Sequence, residues 1–481
     1  MSWMILADLF KKFVSVFFFA YLSRSISLEE NGWYGAFLSI LPILLGIINL
    51  GIPDIITREV AQEPSRIHRL MTTGMLIQFL FFLAILPLAW VSALLMGYPP
   101  LLQFVVVMAA VAALERSLVG MQVGVLTAHE AFKLLSWLTM ATHLLTVAAS
   151  IAALSLGYGI PTLLCILLLA YALEWIICMI AVRRVCTPFT FGFSRAGGHY
   201  LIQQGGRRGM ALMRFLCTTN NHIDLPLLHL LVSPESAGIY AVGTRFSNML
   251  ISFLHLHESI SYPILSRKVN ESTEAQVFAV IRFMKFMALV ALPMGVGATL
   301  LAPKLINLFF GERYLDGTLP LILLTWVLAI HMLMRSSDLY LRARLKQNWI
   351  ALMFGIALVL KICLAWWLVP LVGITGLLWV SLGISIALLI AMLLLSCYCL
   401  PELTLKHYLL VLIRPLAAAL IMGIVLWVLK SIPILLLVPL GAAVYCGVLL
   451  LLGTLDDFDR AVLRGVLPGK RIQPDPDDIH V

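Results

Sequence analysis

Apolar runs of about 20 residues recur from one end of this chain to the other, and each is long enough to cross a bilayer as a helix. Fourteen can be marked, over 4–22, 33–55, 72–96, 101–125, 134–156, 161–182, 210–232, 238–265, 286–308, 319–341, 350–369, 374–397, 408–429 and 434–452. The runs are solidly apolar. Strands of a membrane barrel would alternate apolar and polar residues, so helices are expected. Only 12% of the 481 residues are charged and the mean hydropathy is +1.00, about half the charge of a soluble domain. An all-α polytopic membrane protein follows.

Charge placement tests the count. With the N-terminus in the cytoplasm, 24 of the 33 Lys and Arg residues fall on inner segments and only Arg24, Lys304, Arg313 and Lys430 on outer ones. That bias fits the positive-inside rule with both termini cytoplasmic. Losing one span would scramble it. Lys11 and Lys12 interrupt the first run and no small-residue cleavage site follows, so no removable signal peptide is expected. The eight cysteines fall within spans or near their inner ends, and no disulfide framework is expected.

The chain also repeats itself. Ser27, Glu29, Gly32 and Tyr34 of SLEENGWY return as Ser233, Glu235, Gly238 and Tyr240 of SPESAGIY, at one offset of 206 residues. A fixed-period match suggests a duplicated unit. The expected organisation is a six-helix lobe with a basic cytoplasmic linker over 1–208, and a second six-helix lobe over 209–407. An extra helix pair over 408–453 and a polar, Asp-rich cytoplasmic tail over 454–481 complete it.

The opening stretch YLSRSISLEENGWYGAFLSILPILLGIINLGIPDIITREVA resembles the start of the polysaccharide transporter branch of the multidrug/oligosaccharidyl-lipid/polysaccharide flippase superfamily. Glu29, Gly32, Tyr34, Gly51, Pro53, Arg58 and Glu59 stand at the matching places. SPESAGIYAVGTRFSNML, YPILSRKV, LINLFFGERYLDGTLPLILLTW and VPLVGITGLLWV are similar to later elements of that branch. The resemblance covers nearly the whole chain. It implies two six-helix lobes related by a pseudo-two-fold axis along the membrane normal, a transporter plan of parallel repeats. It also implies a central cavity and a non-enzymatic role, moving a polyprenyl-pyrophosphate-linked oligosaccharide from the inner to the outer leaflet of a bacterial inner membrane. The polymer served would be O-antigen, capsule or exopolysaccharide. Expected partners are that lipid, membrane lipid, H+ or Na+ as coupling ion, and other polysaccharide assembly proteins.

An anionic head crossing a bilayer needs fixed cations facing a polar path, and intramembrane charges are functional candidates because each costs about 2.5–3.5 kcal/mol to insert. In the eighth span Arg245, Asn248, Ser252, His255 and Ser259 share one helix face. The seventh carries Arg214, Thr218, Asn221 and Asp224, with Asn220 and His222 beside them. These residues line a cavity or act as polar glue between helices. Asp224 with Asn220 or Asn221 is a candidate coupling-ion site. Lys361 has no local partner, and Glu115 and Arg116 each need one from another helix or the cavity. Arg335 and Asp338 read as an intrahelical pair. Arg24 stands at the outer mouth as a substrate contact or a snorkelling anchor. Asp54 and Arg58, at i and i+4 on the inner end of the second span, read as a gate or a structural clasp, with Pro53 a helix breaker and Pro42 a bend.

Other motifs lead nowhere. His255 and His257 point to opposite sides of a helix, so no metal site is expected there, and no cofactor is expected at all. There is no P-loop and no compact basic module for nucleic acid. Gly120 and Gly124 are spaced for close helix packing. The rival functions are an ion-coupled drug or metabolite antiporter of the same superfamily and a membrane polysaccharide polymerase. The cations Arg214, Arg245 and Lys361 argue against the first. The shortness of the 183–208 connection argues against the second.

Overall fold

A computed structural model describes residues 2–186, 192–206, 209–247 and 272–454. Among them every regular element is a helix. The first half holds α1 (Ser2–Ser25), α2 (Leu28–Asn49), α3 (Ile52–Gln62), α4 (Ile67–Leu95), α5 (Pro100–Ala128), α6 (Phe132–Ser155) and α7 (Ile160–Val185). A short α8 (Arg195–Gly206) links it to α9 (Met210–His222), α10 (Asp224–Leu231) and α11, described over 234–247. Then come α12 (Thr273–Phe310), α13 (Thr318–Ala343), α14 (Gln347–Val372), α15 (Ile374–Cys399), α16 (Leu405–Val428) and α17 (Ile434–Leu451). Eleven elements among the described residues are long and apolar enough to cross a membrane. With α1, the α9–α10 pair and α11, they fall in order on the fourteen spans read from the sequence.

Two spans are broken. The expected helix over 33–55 stops at Asn49, because Leu50 and Gly51 both take left-handed backbone, at φ 48° and 72°. Pro53 then opens α3, where a missing N–H costs nothing, while Pro42 stays inside α2. The expected helix over 210–232 divides at Ile223 into α9 and α10. Pro226 has no N–H for the carbonyl of His222 four residues back. Gly124 of α5 lies on α3: a Cβ there would stand 3.0 Å from the Pro53 carbonyl and collide with the Thr57 hydroxyl. The spacing of Gly120 and Gly124 therefore does pack helices.

The buried apolar residues sort by half of the chain. Two clusters draw on α1–α8, one around Phe37, Ala109 and Leu163, the other around Ile56, Met71 and Val182. The buried residues of the other three all lie beyond residue 212. The largest of these joins α12 and α13 to the extra pair through Ala288, Met332, Ala419 and Leu449. Helices in lipid gain little from apolar burial alone, so small residues that let backbones approach carry much of the packing. Gly423 of α16 against Val296 of α12 is one such contact.

The ends of the bundle differ. One, here the repeat end, holds residues 23–34 and 233–240 with the turns after α4, α6, α12, α14 and α16. The other, the linker end, holds α3, α8 and the turns after α5, α13 and α15.

Candidate functional site

The two copies of the repeated octapeptide meet at the repeat end. Each begins a helix by the same device. The Ser27 hydroxyl accepts the Glu30 N–H at 3.1 Å while the Glu30 carboxylate accepts the Ser27 N–H at 3.0 Å. In the second copy the Ser233 hydroxyl accepts the Ser236 N–H at 3.2 Å. A polar cap of this kind satisfies the free N–H groups of a helix start. Beyond the caps, Gly32 of α2 lies on the Pro234 carbonyl and Gly238 of α11 lies on the Leu28 carbonyl. The offset of 206 relates both partners, so the contact is reciprocal. A Cβ on either glycine would overlap the opposing carbonyl oxygen. The Asn31 side chain donates to the Gly238 carbonyl at 3.1 Å, and His229 Nε2 donates to the Gly32 carbonyl at 2.9 Å while its ring stacks on Trp33.

The tyrosine of each copy then reaches a buried charge. Tyr34 lies under the guanidinium of Arg245, 5.5 Å from ring centre to Cζ, with Phe19 at 5.0 Å. Arg245 sits seven residues past Gly238, about 10 Å along the helix. It donates through Nη1 to the Ser23 hydroxyl of α1 at 2.9 Å. The side chain is 7% exposed, and its Nε and Nη2 are buried with no partner among the described residues. Aromatic faces attract a cation but do not neutralise it. A buried guanidinium with donors to spare can donate hydrogen bonds to the oxygens of an anion.

In the second copy the Tyr240 hydroxyl donates to the Asp224 carboxylate at 2.5 Å, and the Ser381 hydroxyl donates to the same oxygen at 2.9 Å. Lys361 Nζ is 2.6 Å from the other oxygen and donates to the Asn220 carbonyl at 2.8 Å. Asp224 and Lys361 are 6% and 4% exposed. Lys361, expected as a lone cavity cation, thus has a buried partner 137 residues earlier. The candidate coupling-ion site at Asp224 and Asn220 already holds an ammonium group of the chain itself.

The remaining candidates scatter. Arg116 Nη1 is 2.7 Å from Glu174 of α7 and stacks on Tyr171, so its expected partner does come from another helix. Arg335 and Arg342 both bond Asp338 within α13, at 2.7 and 2.8 Å. At the linker end Arg214 of α9 pairs with Asp54 of α3, both half-exposed. The expected Asp54–Arg58 pair is replaced: Asp54, in the first turn of α3, faces α9. Arg58 turns to its neighbour Glu59 at 2.9 Å, which also takes Arg66 at 3.1 Å and the Tyr200 hydroxyl of α8 at 2.7 Å. Burial opposes the Glu59 charge, but the hydrogen bonds from Tyr200 and Arg58 and the charges of Arg58 and Arg66 outweigh it. They hold the carboxyl below its ordinary pKa. Asn221 is exposed on α9. Asn248, Ser252, His255 and Ser259 lie outside the described residues. Arg24 donates to the Leu308 carbonyl of α12 at 2.7 Å.

Sequence reasoning missed Ser23, Glu174, His229 and Ser381. Each is an ordinary residue whose role comes from a distant helix. Tyr34 and Tyr240 were on view in the repeat, but their partners were not.

Comparison with known proteins agrees with this architecture. The chain is similar in fold to the lipid II flippase MurJ in an inward closed conformation, with a TM-score of 0.73 at 14% identity over 95% of this chain and 99% of that one. It is also similar to an inward-facing multidrug resistance MATE family transporter, at TM-score 0.64, 14% identity, 82% of this chain and 95% of that one. A transporter of the same superfamily from Pyrococcus furiosus gives TM-score 0.60, 13% identity, 84% and 95%. No curated protein matches in sequence. The profile described as polysaccharide biosynthesis protein matches residues 21–319, which include both octapeptides, Arg245 and Asp224. The chain therefore belongs to the polysaccharide biosynthesis protein family, on the fold of the multidrug/oligosaccharidyl-lipid/polysaccharide flippases.

Proposed function

We propose that the chain flips a polyprenyl-pyrophosphate-linked oligosaccharide from the inner to the outer leaflet of a bacterial cytoplasmic membrane, for assembly of a surface polysaccharide. Its termini are cytoplasmic, so the linker end faces the cytoplasm and the repeat end faces outward. The carrying observation is Arg245. It sits on α11 where the second half meets α1 and α2 of the first, buried, unpaired by any described carboxylate and with two nitrogens unpartnered. A pyrophosphate passing between the halves supplies the missing acceptors, and a cation held ready in a dry site attracts it strongly. No bond is made or broken; the residues bind, orient and release.

Lys361 favours this reading over an ion-coupled antiporter, since Asp224 is occupied by an internal cation. The test is lipid translocation in proteoliposomes carrying a polyprenyl-pyrophosphate oligosaccharide in one leaflet, read by a glycosidase added on the other side. Wild type exposes the sugar. Arg245→Ala lowers the rate at least about tenfold, the loss of one charge-assisted contact, while Arg245→Lys retains part of it. Normal flipping by a folded Arg245→Ala protein would overturn the assignment.

A further inference from the structure

Four cations stand alone on outer segments in the charge count, and they are spread over about 400 residues of sequence: Arg24, Lys304, Arg313 and Lys430. In the structure the turns that carry them come together. Arg24, at the end of α1, donates to the Leu308 carbonyl near the end of α12. Arg313, just past α12, donates back to the Ser23 and Ile26 carbonyls at the end of α1, at 2.6 Å for Ile26. Lys304 of α12 donates to the carbonyls of Lys430 and Ile432 in the turn after α16, at 2.8 Å for Ile432. The first two contacts lie where α1 of the first half meets the end of α12, and the third ties α12 to the turn after α16.

Helix C-termini attract cations, so capping accounts for part of this geometry. It does not account for the charge. A carbonyl pins a cation without cancelling it, and among the described residues no carboxylate pairs with any of the four. Donors also remain: Arg24 uses one of its five N–H groups and Lys304 two of three. Glu312 and Asp316 share a turn with Arg313 but do not line the groove that opens here.

That groove, of about 580 Å³, is open to the exterior and lined by the polar Arg24, Lys304 and Asn307 together with the apolar Leu308, Leu315 and Ile434. The neighbouring Leu435 and Leu436 are 76% and 63% exposed, so an apolar surface for a hydrocarbon chain continues from it. A charged head and an apolar tail in one groove match an anionic lipid. Two positive charges lining the groove, Arg24 and Lys304, with Arg313 and Lys430 on neighbouring turns, fit a pyrophosphate better than they fit the single charge of a phosphodiester.

We infer that this groove binds the pyrophosphate head of an isoprenoid lipid at the outer leaflet, a second station outward of Arg245; the isoprenoid part rests on the substrate reading above. Arg24 and Lys304 are the head-group ligands, and Arg313 and Lys430 supply field.

The test uses the full chain in detergent with a photoreactive p-benzoylphenylalanine in place of Leu315, and radiolabelled farnesyl pyrophosphate as the probe. Illumination is expected to label the protein, unlabelled farnesyl pyrophosphate to compete, and a tenfold excess of phosphatidylglycerol not to. Arg24→Gln with Lys304→Gln lowers labelling about tenfold, and Arg24→Lys with Lys304→Arg keeps it. Absent labelling, equal competition by phosphatidylglycerol, or indifference to both charge removals would overturn the site. Labelling by a protein that flips nothing would reject the flippase reading and keep the groove; flipping without labelling would do the reverse.

Discussion

The two ends of the seam between the halves are held by different physics. At the repeat end, backbone lies on backbone: Gly32 and Gly238 each meet a carbonyl of the opposite copy. Asn31, His229, Arg24, Arg313 and Tyr314 add hydrogen bonds to carbonyls across the seam. Tyr98 does the same from the turn before α5, at 3.1 Å to the Pro226 carbonyl. At the linker end, among the described residues, a half-exposed ion pair joins Asp54 of α3 to Arg214 of α9, beside Phe215 of α9 packed over Gly46 of α2. Close packing has a steep distance dependence and is insensitive to salt. An exposed ion pair is worth about 0–1 kcal/mol and is screened. Among the described residues, backbone contact thus dominates at the repeat end and an exposed ion pair stands at the linker end.

Three changes test this contrast. The largest effect is expected from Gly238→Val at the repeat end. Its side chain would overlap the Leu28 carbonyl, and overpacking of that kind costs about 1–3 kcal/mol or more. Thermal unfolding would drop, and a pair of spin labels across the seam would report separation at the repeat end. A wild-type distance and melting temperature would refute the claim that backbone contact closes it.

A middle-sized effect belongs to Glu59, which ties α3 to α8. Its folded pKa is below the ordinary 4.5, so the stability it confers is present above that value and is lost as pH falls through the lowered one. Glu59→Gln should cost about 1.5 kcal/mol at pH 7, the scale of hydrogen bonds to a charged group. The gap from wild type should close in melts run well below pH 4.5. A gap that persists there would mean the tie is not electrostatic.

The smallest effect is expected from Asp54→Asn. It should change unfolding by under about 1 kcal/mol, yet lengthen the distance between labels on α3 and α9. At about 1 M salt, where screening acts within roughly 3 Å, wild type and variant should coincide. A salt-independent difference would show that something other than the ion pair holds the linker end.

The spans could be read from sequence because each must be apolar over a bilayer's thickness, whatever surrounds it. Intramembrane charges could be read for the same reason: a lysine at 361 stands out against its helix. Partners could not. Asp224 belongs to Lys361 and Glu174 to Arg116 only because helices far apart in the chain lie side by side. Carbonyl acceptors such as those of Ser23 and Leu308 carry no signature, since every residue has one. The break after α2 was signalled by Pro53, but the turn itself falls on Leu50 and Gly51, where the left-handed backbone is a property of the pair.

The reciprocal glycine contact has a further consequence. Surfaces that meet their own equivalents are the mark of a two-fold homodimer, where any substitution is imposed on both partners at once. Here both partners lie on one chain, so each copy is free to differ. Position 31 is Asn and donates to the Gly238 carbonyl; its counterpart at the same offset, Ala237, has nothing to return. The Gly32 carbonyl is served instead by His229, from a different helix. A single chain keeps the reciprocal backbone contact and frees the side chains from it. One tyrosine can then stand beside a cation that no described carboxylate pairs, and its twin beside a neutralised pair.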